Sequence, residues 1–290
     1  MKIELENYLD KLKKIRPRRI LLQFPEGFKI YASKIAAEVE ESTKAEVIIS
    51  GEPCYGACDL RLEEAKLLDC DLILHLGHSN FEVKSKIKVL YVPAKVKIKF
   101  SKKLKSEIKK IKENKLSIYS SEPFKEVLDE LEIYLKKINK IIVDKEILLG
   151  CSKTKELGEA NIFIGSGKFH TFALSKKTYF IDLEKNEVKD ITNLLKKEEM
   201  KKQARINGFG DAKRIAILIS KKPGQFYEDY KKLKEKLEKE GKNVEILIFD
   251  EITDLKLLGY DFDFYLNTAC PRILDSVKRK LINLRDLNYG

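Results

Sequence analysis

Five cysteines, Cys54, Cys58, Cys70, Cys151 and Cys270, have the narrowest chemistry of any residues in this chain. A thiolate is a soft ligand that selects zinc, copper(I) or iron–sulfur clusters. In a reducing cytoplasm, loop cysteines are more often metal-binding or catalytic than disulfide-bonded, and an odd count leaves no complete disulfide framework. Structural zinc normally closes with four protein ligands, whereas a [4Fe–4S] cluster on three cysteines keeps one iron open. Spacing alone decides little. Cys54 and Cys58 form a CxxxC pair, which is weak, and Arg61 stands where a CxxxCxxC run would need its third cysteine. Cys58, Cys151 and Cys270 are about a hundred residues apart from one to the next, so a site joining them is built by folding.

The elements that would position these thiols alternate between strand and helix. Residues 20–24 are an apolar run ending in the turn Pro25-Glu26-Gly27, and residues 29–41 have helical spacing through Ile30, Ser33, Lys34 and Ala37. Strands are expected at 47–49, at 71–76 before Gly77-His78-Ser79, and at 89–92, where Pro93 stops the run; residues 60–68 read as helix. The order recurs with strands at 116–119, 147–149, 162–164 and 179–181 and a helix at 124–138. A third cycle has strands at 215–219, 244–249 and 262–266 and a helix at 227–239 stopped by Gly241. Short apolar strands joined by helices predict an α/β fold with parallel sheets covered on both faces. The expected architecture is three similar domains related by internal duplication, each a small parallel sheet flanked by helices. Their bounds are 1–112 with Cys58, 113–203 with Cys151, and 204–290 with Cys270.

Ligands of open parallel sheets bind outside the carboxyl ends of the strands. Cys58 follows the second strand of the first unit, Cys151 the second of the second unit, and Cys270 the third of the third unit. If the three units face a common centre, three thiolates converge. Cys70, between Asp69 and Asp71 at the start of a strand, reads as a small buried side chain.

The segments around these cysteines resemble the three cysteine motifs of archaeal diphthamide synthases. They are Gly51-Glu52-Pro53-Cys54-Tyr55-Gly56-Ala57-Cys58-Asp59, Leu148-Leu149-Gly150-Cys151 and Thr268-Ala269-Cys270-Pro271-Arg272. The stretches Leu22-Gln23-Phe24-Pro25-Glu26-Gly27, Leu76-Gly77-His78-Ser79 and Ile164-Gly165-Ser166-Gly167-Lys168-Phe169-His170 are similar to that family too, and all fall in family order from about residue 20 to 273. The resemblance implies a homodimer with a [4Fe–4S] cluster on Cys58, Cys151 and Cys270, and it leaves Cys54 as an extra cysteine. It also implies that S-adenosylmethionine is the co-substrate. Its 3-amino-3-carboxypropyl group would pass as a radical to one histidine of translation elongation factor 2, the first step of diphthamide formation, leaving methylthioadenosine. An electron donor, which the sequence does not identify, would be needed; a membrane or a nucleic acid would not.

Other loop residues carry paired readings. Gly165 and Gly167 could present backbone amides to a carboxylate or to adenosine hydroxyls, or form a plain glycine turn. Arg272 could clamp the methionyl carboxylate bidentately or pair with a nearby Asp. Gln225, after Gly224, could bond the same ligand or cap a helix. His78 and His170 lie in loops at strand ends, where they could approach the cluster or substrate, while His75 reads as a core residue. Tyr55 and Phe169 could line an adenosine pocket or simply pack.

The composition, 43% hydrophobic and 36% charged, fits packed interiors under a charged surface. The apolar runs are strand-sized, far short of the ~20 residues of a membrane span, and the N-terminal dozen residues mix Lys and Glu with no signal core. A cytoplasmic protein is expected. The net charge of +12 would attract polyanions or acidic proteins, though much of the excess lies on helical stretches that read as solvated faces. A zinc-stabilised nucleic-acid-binding protein is the alternative, and it requires a fourth ligand near the three cysteines. No GxGxxG or GxxxxGK[ST] follows the first strand, which counts against dinucleotide and P-loop sites.

Overall fold

The computed structural model describes residues 2–152, 154–287 and 289 of the 290; Met1, where the N-terminal stretch begins, lies outside them. Apolar runs become strands buried on both faces: every residue of Leu72–Gly77 and of Ala160–Gly165 is buried. That is the signature of a sheet sandwiched between helices.

The first sheet contains β1 (Lys2–Ile3), β2 (Arg19–Gln23), β3 (Glu46–Ile49), β4 (Leu72–Gly77) and β5 (Lys88–Lys95), in the order β1-β5-β4-β2-β3. The second contains β6 (Lys115–Ser120), β7 (Ile141–Ile147), β8 (Ala160–Gly165), β9 (Thr178–Asp182) and β10 (Glu187–Asp190), in the order β10-β9-β8-β6-β7. The third contains β11 (Arg214–Ser220), β12 (Asn243–Phe249), β13 (Phe264–Asn267) and β14 (Leu281–Asn283), in the order β12-β11-β13-β14. All pairings are parallel except β1 on β5 and β10 on β9. Taken as four parallel strands each, the three sheets share one order: second, first, third, fourth. The α/β expectation of three parallel sheets holds, and their common order is what duplication of one unit would leave.

The helices are α1 (Glu6–Ile15), α2 (Ala32–Thr43), α3 (Leu62–Leu67), α4 (Lys102–Lys109), α5 (Lys125–Lys137), α6 (Thr192–Asp211), α7 (Tyr230–Lys239) and α8 (Ile273–Ser276). Alternation along the strands feeds the two faces of a sheet. In the first, Ile20, Leu22, Leu72 and Leu74 pack with Leu12 and Val39 on one side. Leu21 and Ile73 meet Ala65 and Cys70 on the other, so Cys70 is a core residue.

The chain divides into two compact units. One is Met1–Lys97 with Lys222–Gly224 and holds the first sheet; the other is Ile98–Lys221 with Gln225–Gly290 and holds the second and third. Residue 204, the expected start of the third domain, falls inside α6.

Several elements differ from the sequence expectation. Pro93 lies within β5, opposite Gly77 of β4; β1 reaches only Lys95 and Ala94, so β5 has one free edge at Pro93, a place in a sheet where proline is tolerated. The strand expected at 147–149 is β7, which ends at Ile147, so Cys151 lies in the loop beyond it. The helix expected from residue 29 starts with a 3₁₀ segment, Glu26–Tyr31, before α2. β10 and α6 went unread. Only Leu195 and Phe209 of α6 are buried, so its twenty residues carry almost no apolar stripe.

Candidate functional site

In all three sheets the chain reverses its direction of travel between the first and third strands, and the crevice there is where open α/β sheets bind ligands. The loops leaving those strands hold His78 after β4, Gly165 and Gly167 at and after β8, Gln225 after β11, and Cys270 and Arg272 after β13. Cys58 and Cys151 sit one strand aside, after β3 and β7. All five cysteines are free thiols; Cys54 and Cys70 are buried, Cys58 and Cys270 half-buried and Cys151 exposed. Accessible thiols at strand ends suit soft-metal ligation, and this donor set fits an iron–sulfur cluster better than the buried pair would.

In the first unit, the loop carrying Cys58 is clamped from several sides. Asp59 is 1% exposed and its carboxylate accepts from the Lys222 ammonium at 2.7 Å, a buried ion pair between residues far apart in sequence. Lys222 also lies 4.6 Å from the centre of the Tyr55 ring. The Gly224 amide donates to the Cys58 carbonyl at 2.9 Å. A Cβ at Gly224 would stand 2.6 Å from the Cys58 Cα, so only glycine lets these backbones approach. Arg61 donates to the Pro53 carbonyl at 2.6 Å, closing the loop at its start.

Beside this loop the imidazoles of His75 and His78 are 3.0 Å apart, Nε2 to Nδ1. His75 Nδ1 lies 3.3 Å from Gln23 Oε1, and the Gln23 amide nitrogen donates to the Asp59 carbonyl at 2.5 Å. Burial drives both rings toward the neutral form, with His75 pushed down to about 3 and His78 to about 4. The nearby Asp59 charge partly opposes the shift at His78. Cys54, also buried, is pushed up to about 12, mainly by desolvation and further by Asp59.

In the second unit the Cys151 loop is pinned at both ends. Arg285 donates to the carbonyl of Gly150 at 2.6 Å, and the Phe169 ring fills the space a side chain at Gly150 would need, with a ring carbon 2.0 Å from the Cβ position. Farther along, the buried Glu156 carboxylate accepts from the Ser175 amide and hydroxyl, the Lys176 amide and the Asn161 side chain. Cys151 lines a cavity of about 480 Å³ with Thr268, Ala269 and Pro271, the residues flanking Cys270. The structure thus brings the second and third cysteine loops to one cavity. The Asn267 amide donates to the Cys270 carbonyl at 2.9 Å and to Asn283, and its oxygen accepts from the Ala269 amide, which fixes that loop.

Of the other expected residues, Arg272 is exposed and lies over the Phe169 ring at 5.7 Å from its centre. Its charge and burial both hold His170 below the usual histidine range, burial being the larger cause. Gly165 is buried, Gly167 exposed and Gln225 half-buried. Sequence reasoning missed Lys222, Asp59, Glu156 and Arg285. Each acts through a partner distant in the chain or through backbone atoms, and no local motif announces such a partner.

Comparison with known proteins adds a family. A family model described as "Putative diphthamide synthesis protein" matches residues 24–277. The 2-(3-amino-3-carboxypropyl)histidine synthase of Pyrococcus horikoshii is 32% identical over 281 residues, 91% of this chain and 82% of the relative. The protein of the same name from Methanocaldococcus jannaschii is 28% identical over 296 residues, covering 93% of this chain and 81% of its own. The crystal structure of Dph2 from Pyrococcus horikoshii with a 4Fe-4S cluster superposes with a TM-score of 0.89 at 30% identity, over 99% of this chain and 89% of that one.

Proposed function

Since the chain belongs to the diphthamide synthesis family, we propose that it is a 2-(3-amino-3-carboxypropyl)histidine synthase carrying a [4Fe–4S] cluster. Its protein substrate is translation elongation factor 2, and S-adenosylmethionine supplies the transferred group. The observation that carries this reading is the placing of Cys58, Cys151 and Cys270, one per sheet, in loops at strand C-terminal ends. We assign these three as the cluster ligands, which leaves Cys70 in the core and Cys54 outside the set.

The cluster, when bound, supplies the electron that cleaves the sulfonium, releasing methylthioadenosine and the 3-amino-3-carboxypropyl group for transfer. The chain's own share is holding and orienting. The Asp59–Lys222 pair and Gly224 fix the approach of Cys58, Arg285 fixes Gly150 before Cys151, and Asn267 fixes Cys270. Arg272 and Gln225 are the candidates to bind the methionyl carboxylate, the amides of Gly165 and Gly167 to bind a carboxylate or adenosine hydroxyls, and His78 to donate a hydrogen bond. Each of these assignments is supported by its place at a strand-end crevice.

No helix among the described residues is long and apolar enough to cross a membrane, and a cytoplasmic homodimer is the assembly we propose. The test is anaerobic incubation of reconstituted protein with S-adenosylmethionine, dithionite and archaeal elongation factor 2. Methylthioadenosine with a matching mass gain on the factor is the expected result; deoxyadenosine would contradict the bond choice. Cys58→Ala, Cys151→Ala and Cys270→Ala should each deplete iron, and Cys70→Ala should not.

A further inference from the structure

We propose that Cys54, His75 and His78 form a second metal site, distinct from the three cluster cysteines, that takes zinc or a similar borderline divalent cation. One ligand atom from each residue lies within 4.8 Å of the other two. Cys54 is 3% exposed and His75 fully buried, while His78 is half-buried at the rim. Thiolate and imidazole with no carboxylate oxygen disfavour magnesium and calcium and suit zinc.

The hydrogen-bond polarity around the histidines supports ligation. The Gln23 amide nitrogen is committed to the Asp59 carbonyl, so its oxygen points to His75 Nδ1 and must accept a hydrogen bond from an N–H there. His75 therefore keeps its lone pair on Nε2, which faces His78 Nδ1 at 3.0 Å. A metal-bound histidine typically has this arrangement, with the second ring N–H donated to a fixed oxygen and the other nitrogen free to coordinate. With no cation, His78 donates its Nδ1–H into that lone pair. With a cation, His78 shifts its proton to Nε2 and both facing nitrogens carry lone pairs.

Two nitrogens on one tetrahedral zinc are about 3.3 Å apart for Zn–N bonds of about 2.0–2.1 Å. The observed separation is within a few tenths of that. The proton balance is simple. Both imidazoles remain neutral, the Cys54 thiol loses its proton as the sulfur–zinc bond forms, and one proton leaves per cation bound. A fourth position remains on the rim, where His78 meets solvent, and His78 Nε2–H then points away from the metal as a donor.

The site would tie two elements together. Cys54 begins the loop that presents Cys58, whereas His75 and His78 mark the end of β4. A cation there braces that loop from the strand end, as the Asp59–Lys222 pair does from another direction.

The experiment uses cluster-loaded protein, so that Cys58, Cys151 and Cys270 are occupied by iron. After exposure to zinc and gel filtration, metal analysis should find about one zinc per chain beside the iron. Cys54→Ser and His78→Asn should each lose the zinc, and Cys54→Ser should keep its iron. Gln23→Leu should weaken zinc binding by roughly 10–100-fold, the usual effect of removing the oxygen behind a ligating histidine. Cobalt(II) in place of zinc should show a thiolate charge-transfer band that disappears in Cys54→Ser. No zinc on cluster-loaded protein, or zinc retained equally by Cys54→Ser and His78→Asn, would overturn the site. So would zinc that binds only cluster-free protein and is lost in Cys58→Ala, because it would then be sitting on the cluster cysteines. These readouts need no turnover and stand apart from the activity test.

Discussion

At the scale of single residues, the loop that presents Cys58 is held by Lys222 on Asp59 and by Gly224 against Cys58 itself. Gly224→Ala tests the second contact. Its Cβ would meet backbone atoms of Cys58 at 2.6–2.9 Å, and backbone cannot swing aside as a side-chain tip can. Loss of about 1–3 kcal/mol of stability is expected, the usual cost of overpacking, together with reduced iron retention on reconstitution; unchanged iron and melting temperature would refute the clamp. Cys58, Cys151 and Cys270 stand out in the sequence by type and by position after strands, and Cys70 between two aspartates is core. Lys222 and Gly224 do not, because their value lies in touching Asp59 and Cys58 from far along the chain. The buried histidines make a second residue-scale prediction. Their folded-state values lie below that of an unfolded histidine, so the unfolded chain binds more protons between about pH 6.5 and the folded values near 3 and 4. Stability from this source is full above that window and is lost as pH falls through it. Denaturant titrations of metal-free protein should show a slope of up to about 1.4 kcal/mol per pH unit for each such histidine, and His78→Asn should flatten part of it.

At the scale of elements, apolar runs revealed the strands, while edges and connections stayed hidden. β4, β8 and β11 are buried along nearly their whole length and read plainly as hydrophobic runs. β7 is an edge strand with mixed burial, IIVDKEI, so its polar residues masked it and the expected strand slid toward Leu148 and Leu149. The loop after it is held by Glu156, which no pattern in the sequence marks as special. Glu156 is 6% exposed and accepts from backbone and side-chain donors of Ser175, Lys176 and Asn161. Removing the acceptor leaves the buried Asn161 amide without that partner, at about 1–3 kcal/mol, and frees the less buried donors of Ser175 and Lys176 at smaller cost. Glu156→Ala should therefore lower stability by about 1–3 kcal/mol and loosen the Cys151 loop, read as faster amide exchange in residues 150–159. Glu156→Gln keeps one acceptor oxygen and should recover part of the loss. Equal stability of the two variants would mean that neither side-chain bulk nor a single retained oxygen stabilises the loop, and that both carboxylate oxygens are needed together.

At the scale of the whole molecule, the sequence supports a repeat of α/β units, and the common strand order of the three sheets agrees with it. What it could not supply is how the sheets group, because grouping depends on which helices and loops bury which faces; α6, nearly devoid of apolar periodicity, is part of that answer. Charge is the global property with a consequence for the partner. The chain carries 58 basic against 46 acidic side chains, a net charge of +12. Nearby pairs such as Lys145 with Asp129 and Lys136 with Glu132 neutralise one another locally, yet the excess survives at a distance. Such an excess steers an acidic macromolecule, and steering works over roughly a Debye length, about 10 Å at 0.1 M salt and about 3 Å at 1 M. If elongation factor 2 is drawn in this way, its association rate should fall about tenfold or more between those salt concentrations, while the dissociation rate changes much less. Stopped-flow or surface-binding kinetics separate the two rates. An association rate indifferent to salt would assign docking to apolar contacts and remove charge from the recognition of the factor.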